Sequence, residues 1–236
     1  MKIIILSVTK YKEKDAIINA ISETGYVSLT AKGILDPKCK NHELNNILNI
    51  VDVDFIDGDY KYPIIKRSKI IMSAVDLNSD YYLMSTLMLL SESTLHCLDE
   101  SDYYKVFNYL NDAIYALKNG ENYLKVGLIY LARIITVSGY KYEFNHCLSC
   151  GSKENIVSFS FAEGGFICKK CANEETENDL TPSQLKLLRA SFLVKNYQIP
   201  DKIFNKNDGL YLLNKYCEFI FDGLGYRLNA IKLINK

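Results

Sequence analysis

The sequence predicts an α+β multidomain chain: an N-terminal β-barrel of the OB type, followed by a helical domain carrying an inserted four-cysteine zinc ribbon. Three observations carry that expectation. Residues 1–72 hold short apolar runs that alternate every second residue, the period of half-buried strands. From Ser73 the apolar spacing becomes three and four, the period of helices. Between two helical stretches stand Cys147-Leu148-Ser149-Cys150 and Cys168-Lys169-Lys170-Cys171. The expected parts are therefore 1–72 for the barrel, 73–139 and 176–236 for the helical domain, and 140–175 for the ribbon.

Within the first part, Ile3 to Val8 is a strand, and Lys10 to Asp15 a polar turn. Ala16 to Ser22 is a second apolar run, Thr24-Gly25 a turn, and Tyr26 to Gly33 a third strand by alternation. A loop with Pro37 covers 34–40, and Asn41 to Asn49 holds one or two helical turns. Ile50 to Ile56 alternates again and meets Asp57-Gly58, a tight-turn pair. Short strands around one short helix suit a small Greek-key barrel; the OB and SH3-like types are not separable on sequence alone.

In the second part, Tyr81, Met84, Ser85, Met88 and Leu89 share one helical face. So do Tyr103, Val106, Phe107, Leu110, Ile114 and Leu117, with Asn119-Gly120 as the stop. Tyr123 to Val137 is apolar nearly all round and so predicts a buried helix. Beyond the ribbon an acidic linker is expected over 173–179. Thr181-Pro182-Ser183-Gln184 then opens a helix that runs to about Lys195, with Pro at its first position. Pro200 breaks the pattern, a last helix spans about Asp208 to Phe221, and a short tail follows.

The two C-x-x-C pairs match the four-thiolate zinc template. A two-residue spacer lets both sulfurs of a pair face one point, and the second knuckle closes a tetrahedron around Zn²⁺. Gly151 follows the first knuckle, where the turn favours positive φ. Ile156 to Phe161 alternates as a strand, Ala162 to Gly165 turns the chain, and Phe166-Ile167 returns it to the second knuckle. Cys147, Cys150, Cys168 and Cys171 are thus the expected ligands of one ion. Four protein ligands leave no open position, so the ion is structural. His146 reads as a neighbour. Cys39, Cys97 and Cys217 are left over as core thiols, and an odd count beside a zinc-type quartet argues for a reducing cytoplasm. No secretory leader is expected, because the apolar run after Met1-Lys2 is only six residues long and lacks a cleavage site.

No enzyme is expected. The chain has no phosphate-binding glycine fingerprint; Gly223-Leu224-Gly225 lacks the third glycine and the preceding strand. His42-Glu43 begins like a zincin helix, but Asn46 stands where the second histidine belongs. His146-Cys147-Leu148 fails the deaminase pattern. His96 and Cys97 are adjacent on a helix and so point in different directions. Asp52, Asp54, Asp57 and Asp59 read as the outward face of a strand and its turn rather than a Mg²⁺ site.

At this point the order of parts resembles the RecO family of bacterial recombination mediators, in its zinc-bearing type. Tyr11-Lys12-Glu13-Lys14-Asp15-Ala16-Ile17 is similar to the family's Y-x-E-x-D-x-I segment, and Thr24 to Gly33 resembles its segment ending A-K-G. The most specific match runs from Gly139-Tyr140 through Cys147-x-x-Cys150-Gly151, Phe159-Ser160 and Gly164-Gly165 to Cys168-x-x-Cys171. The resemblance implies a cytoplasmic, nucleoid-associated protein that binds single- and double-stranded DNA and anneals complementary strands. It also implies work with RecR to load RecA onto single strands coated by SSB, and contact with the SSB C-terminal tail. The alternative is a zinc-ribbon adaptor of transcription or translation with protein or RNA partners.

Basic residues and aromatic faces are what a single strand needs. The candidates are Lys10, Tyr11, Lys12 and Lys14 in the first loop, Lys32, Lys38 and Lys40 around the loop after the third strand, and Lys66, Arg67 and Lys69 in the densest cluster. Tyr26 is either a stacking platform or core. Lys169-Lys170 is expected to offset thiolate charge. Twenty-eight basic and twenty-eight acidic residues give a formal net charge of zero, so any polyanion site must be local.

Overall fold

The computed structural model describes residues 1–56, 58–173 and 180–236. Of the expected acidic linker, residues 174–179 lie outside the described residues, as does Asp57 of the expected tight turn. The N-terminal sheet comprises β1 (Lys2–Lys10), β2 (Ala16–Ser22), β3 (Gly25–Ala31), β4 (Ile50–Phe55) and β5 (Ile65–Met72). All neighbours are antiparallel, in the order β3-β2-β1-β4-β5. A parallel bridge between Thr30 and Ile64, with Thr30 N–H donating to the Pro63 carbonyl at 2.9 Å, brings β3 against the lead-in to β5. The result is a partly open five-stranded barrel of the OB type.

Alternation explains the two faces of this sheet. Ile3, Ile5, Ala16, Ile18, Ala20, Leu29, Ala31, Val51 and Val53 fill the barrel. A bulge at Leu6 then shifts the register of β1 on β2, so that Ile4, Leu6 and Ser7 all face outward. Ile4, Leu6, Ile21, Ile50 and Met72 pack outward into a second, larger core shared with the helices. The buried Ser91 hydroxyl donates to the Leu6 carbonyl at 2.6 Å, tying the bulge to the helical side. The expected helical turns before β4 are a single 3₁₀ turn, His42–Asn45.

The helical part holds α1 (Tyr81–His96), α2 (Tyr103–Lys118) and α3 (Tyr123–Val137), then α4 (Pro182–Leu193), α5 (Lys206–Leu224) and a four-residue α6 (Ile231–Ile234). Asp80 and Asn122 cap α1 and α3 by accepting two backbone N–H bonds each. Thr181 and Gln184 form a capping box at α4, with Pro182 at its first position. As its composition predicts, α3 is buried nearly all round, and α1, α2, α4 and α5 pack about it. The expected face of α1 needs correction. Tyr81 and Met88 are exposed, whereas Thr86, Leu87 and Leu90 are buried. The helix packs both on α3 and on β1, so its covered arc is wider than one stripe.

Between α3 and α4 the chain forms β6 (Ile156–Ser160) and β7 (Gly165–Cys168), an antiparallel hairpin. The segment that leads into the first knuckle joins it through an isolated bridge at Glu143, whose carbonyl accepts from Phe166 N–H at 3.2 Å and whose N–H donates to the Gly164 carbonyl at 2.8 Å. Tyr142 lies at the centre of an aromatic cluster, meeting Phe159, Phe192 and Phe219 edge-on at 5.3, 5.3 and 6.0 Å. These rings dock the ribbon on α4 and α5. Arg189 of α4 adds a bond from its Nε to the Phe144 carbonyl at 3.0 Å. No helix among the described residues is long and apolar enough to cross a membrane.

Candidate metal centre and nucleic-acid face

The sulfurs of Cys147, Cys150, Cys168 and Cys171 all lie within 4.8 Å of one another. Ligands at zinc–thiolate bond lengths on a tetrahedron stand ~3.8 Å apart, and Cys150 Sγ is 3.6 Å from Cys168 Sγ. The residues present therefore fit a tetrahedral ion. Gly151, at φ +72°, supplies the left-handed turn that closes the first knuckle. Gly165 matters for space. A Cβ there would stand 2.8 Å from the Glu143 carbonyl oxygen and 3.0 Å from the Leu148 side chain.

Cys147 and Cys168 are buried, Cys171 is half-buried and Cys150 is exposed. Burial works against the Cys147 thiolate, but N–H groups of Cys168, Cys150 and Ser149 outweigh it and bring its pKa to about 6. Hydrogen bonds to the sulfurs of Cys150 and Cys168 push Cys171 up to about 12. Four sulfurs this close cannot all ionise without a cation among them. His146 stays outside the quartet, with Nε2 3.6 Å from Glu143.

The basic candidates fall into two settings. Lys10 closes β1 and Tyr11, Lys12 and Lys14 form the β1–β2 loop; Lys32, Lys38 and Lys40 follow β3. The structure zips these loops together. Leu35 N–H donates to the Lys14 carbonyl at 3.1 Å, Gly33 N–H to Asp15 Oδ1 at 2.8 Å, and Lys14 Nζ to Asp36 at 2.9 Å. The Lys38 N–H and the Lys14 ammonium hold the Asp36 carboxyl below its ordinary range. Lys10, Lys12, Lys32, Lys38 and Lys40 remain exposed around this clamp, and Tyr11 is 58% exposed beside Lys12.

Lys66, Arg67 and Lys69 lie elsewhere, on β5. Register places Arg67 opposite Asp54 and Lys69 opposite Asp52 on β4. Residues directly opposite share a face, so Asp54 partly offsets Arg67, whereas Asp52 is paired with the N-terminal ammonium at 2.8 Å and offsets Lys69 only weakly. Tyr26 packs on Tyr103 at 5.0 Å, with 38% of its surface exposed. It is neither a free platform nor core.

Sequence reasoning missed what lies between the loops. Ser7, Asn19 and Ser28 stand abreast on three strands, and Thr9, Ile17 and Thr30 form the next row. Ser28 Oγ donates to Asn19 Oδ1 at 2.9 Å, and Asn19 Nδ2 donates to Ser7 Oγ at 3.0 Å. The β4–β5 loop borders this polar face through Thr30, whose hydroxyl donates to the Tyr62 carbonyl at 3.3 Å. It brings Tyr60, 43% exposed, and the exposed Lys61. In OB barrels this sheet face and these two loops are where oligonucleotides bind. The alternation of Ser, Thr and Asn with apolar residues was visible in each strand. Only the pairing register joins them into one surface.

His96 and Cys97, adjacent at the end of α1, have separate surroundings. The His96 ring stacks on Tyr226 with centroids 4.3 Å apart. Burial and the nearby Glu92 push the Cys97 thiol up to about 12, away from the thiolate that a nucleophile needs.

Comparison with known proteins agrees with this architecture. The sequence model of the family described as "Recombination protein O C terminal" matches residues 78–219. The DNA repair protein RecO of Halalkalibacterium halodurans is 25% identical over 189 residues, which cover 79% of this chain and 74% of that protein. The proteins of the same name from Bacillus mycoides and from Bacillus cereus strain AH187 are each 24% identical over 174 residues, covering 73% of this chain and 70% of theirs. With an OB-type barrel in front, a helical body behind it and a family match over more than half its length, the chain belongs to the recombination protein O family.

Proposed function

We propose that this protein is a DNA repair and recombination mediator of the cytoplasm that binds DNA, anneals complementary single strands and acts by binding rather than by catalysis. The observation that carries the reading is the polar face of β1–β3, bounded on one side by the zipped basic loops and on the other by Tyr60 and Lys61. Exposed lysines there meet the first need of a strand-binding groove, since phosphate neutralisation dominates affinity. With a net charge of zero a polyanion site has to be local, and this face gathers the exposed lysines that such a site needs.

In this reading the four thiolates hold one structural Zn²⁺, the ion that closed Cys₄ sites select. Bound zinc supplies a cross-link and no chemistry. Cys147 and Cys168 anchor it in the core, and the aromatic cluster transmits that anchorage to α4 and α5.

RecR, RecA and the SSB tail enter as the partners that the resemblance supplies. For a chain terminus, support comes from a cavity of about 690 Å³ between α1, the 3₁₀-to-β4 link and the C-terminal segment. Ile47, Met88, Leu95 and Leu233 give it an apolar wall, and Lys232 and Lys236 stand at its edge, where a terminal carboxylate would be received. Glu92 does not oppose such a charge freely, because its oxygens accept from Tyr226, Asn229 and Ala230.

The test is annealing of complementary oligonucleotides, bare and coated with single-strand-binding protein. The expected result is acceleration of both at low ionic strength. Absence of both binding and acceleration with bare strands would overturn the reading.

A further inference from the structure

The face between the loops has an unusual make-up for one that handles single strands. Its two rows, Ser7-Asn19-Ser28 and Thr9-Ile17-Thr30, contain no ring. The aromatic in the outward row of β3 is Tyr26, at its far end, and its ring is engaged with Tyr103. The exposed rings of the flanking loops, Tyr11 and Tyr60, stand at the edges. Stacking, which holds bases against many single-strand-binding sheets, is therefore confined to the margins.

What the middle offers is protons. Ser28 gives its hydroxyl hydrogen to Asn19, and Asn19 gives one amide hydrogen to Ser7. The relay runs in one direction. It leaves the Ser7 hydroxyl hydrogen and the second Asn19 amide hydrogen without an acceptor among the described residues. Phosphate oxygens are acceptors only, whereas base edges carry donors as well. A ring-free strip with unspent hydroxyl and amide donors, flanked by lysines, complements the sugar–phosphate chain.

Resting on the nucleic-acid reading above, we infer that a bound single strand lies with its phosphate backbone against β1–β3 and its bases turned to solvent. The pairing edges of every base over the strip then stay open to a complementary strand. The site binds a strand without regard to base composition, and it presents that strand for pairing instead of hiding it.

The experiment compares a fluorescein-labelled oligothymidylate of 12 residues with an abasic strand of the same length, by anisotropy, on the full metal-loaded chain at low salt. Each stacked base is worth about fivefold or more in affinity. The abasic strand is expected to bind within about 25-fold of oligothymidylate, the allowance for one base on each of the two loop rings at about fivefold each. A larger loss overturns the inference. No binding of oligothymidylate itself would instead overturn the nucleic-acid reading, so the two failures are told apart. Ser28→Tyr gives a second arm, since a half-exposed strand position accepts tyrosine. A ring in mid-strip should tighten oligothymidylate but not the abasic strand, and should slow annealing of the bound strand. Unchanged annealing despite tighter binding would overturn the inference.

Discussion

Lys14 and Lys32 are both exposed lysines on the zipped loops, yet they are not equivalent. Lys14 spends its charge on Asp36 at 2.9 Å, while Lys32 has no ion pair among the described residues. Lys32→Ala should therefore lower single-strand affinity more than Lys14→Ala, and should reduce the slope of log K against log salt by about 0.7, one phosphate. Anisotropy titrations at several salt concentrations check both. Equal losses would mean that the Lys14–Asp36 pair opens on binding. The sign of the pH dependence follows from the depressed Asp36 carboxyl. Its contribution is present above the ordinary carboxylate pKa and lost as pH falls through the lowered one, so the clamp stays closed at neutral pH. On the ribbon, Gly165→Ala forces a methyl to within 2.8 Å of the Glu143 carbonyl. Backbone cannot yield cheaply, so the cost should be about 1–3 kcal/mol. A lower melting temperature and faster metal transfer to a chromogenic chelator are the expected readouts.

At the scale of elements, charge context decides between two basic clusters. Reversing Lys32, Lys38 and Lys40 to Glu should weaken binding by an order of magnitude or more, since about three phosphates lose partners. Reversing Lys66, Arg67 and Lys69 should cost much less, because they lie on β5, away from the zipped loops, and Asp54 already opposes Arg67 across the β4–β5 ladder. The melting temperature of the loop variant should stay put, as its side chains are exposed; the reverse ranking would put the strand on the β5 side. This contrast also marks what was legible in the sequence. The strands β1 to β4, the helices α1 to α5 and the two knuckles follow from alternation, period and spacing. The strand β5 does not, for Lys66-Arg67 and Lys69-Ile70-Ile71 break the alternation with runs of exposed residues. That happens where the barrel is only partly closed and neither face is fully covered. The outward row Ser7-Asn19-Ser28 was hidden for another reason. It exists only in the register of three strands, and the Leu6 bulge that sets Ser7 outward leaves no mark on composition.

Over the whole molecule, two cores divide the response to metal loss. The barrel interior is closed upon itself, whereas Phe144, Phe159 and Phe166 of the ribbon belong to the same core as Phe107, Tyr130 and Tyr216 of the helices. A four-thiolate site contributes on the order of 10 kcal/mol to folding of a small zinc unit, and a hairpin of five and four residues has little else to hold it. Stripping the metal with a chelator should therefore abolish hydrogen-exchange protection over residues 140–173. It should also loosen α4 and α5, whose Phe192 and Phe219 lean on Tyr142. The barrel strands should keep their protection, and oligonucleotide binding should persist within a few-fold. Unchanged exchange in the ribbon would remove the metal from its structural role. Loss of binding in step with the metal would move the nucleic-acid surface from the barrel to the ribbon, where Lys153, Lys169 and Lys170 are exposed.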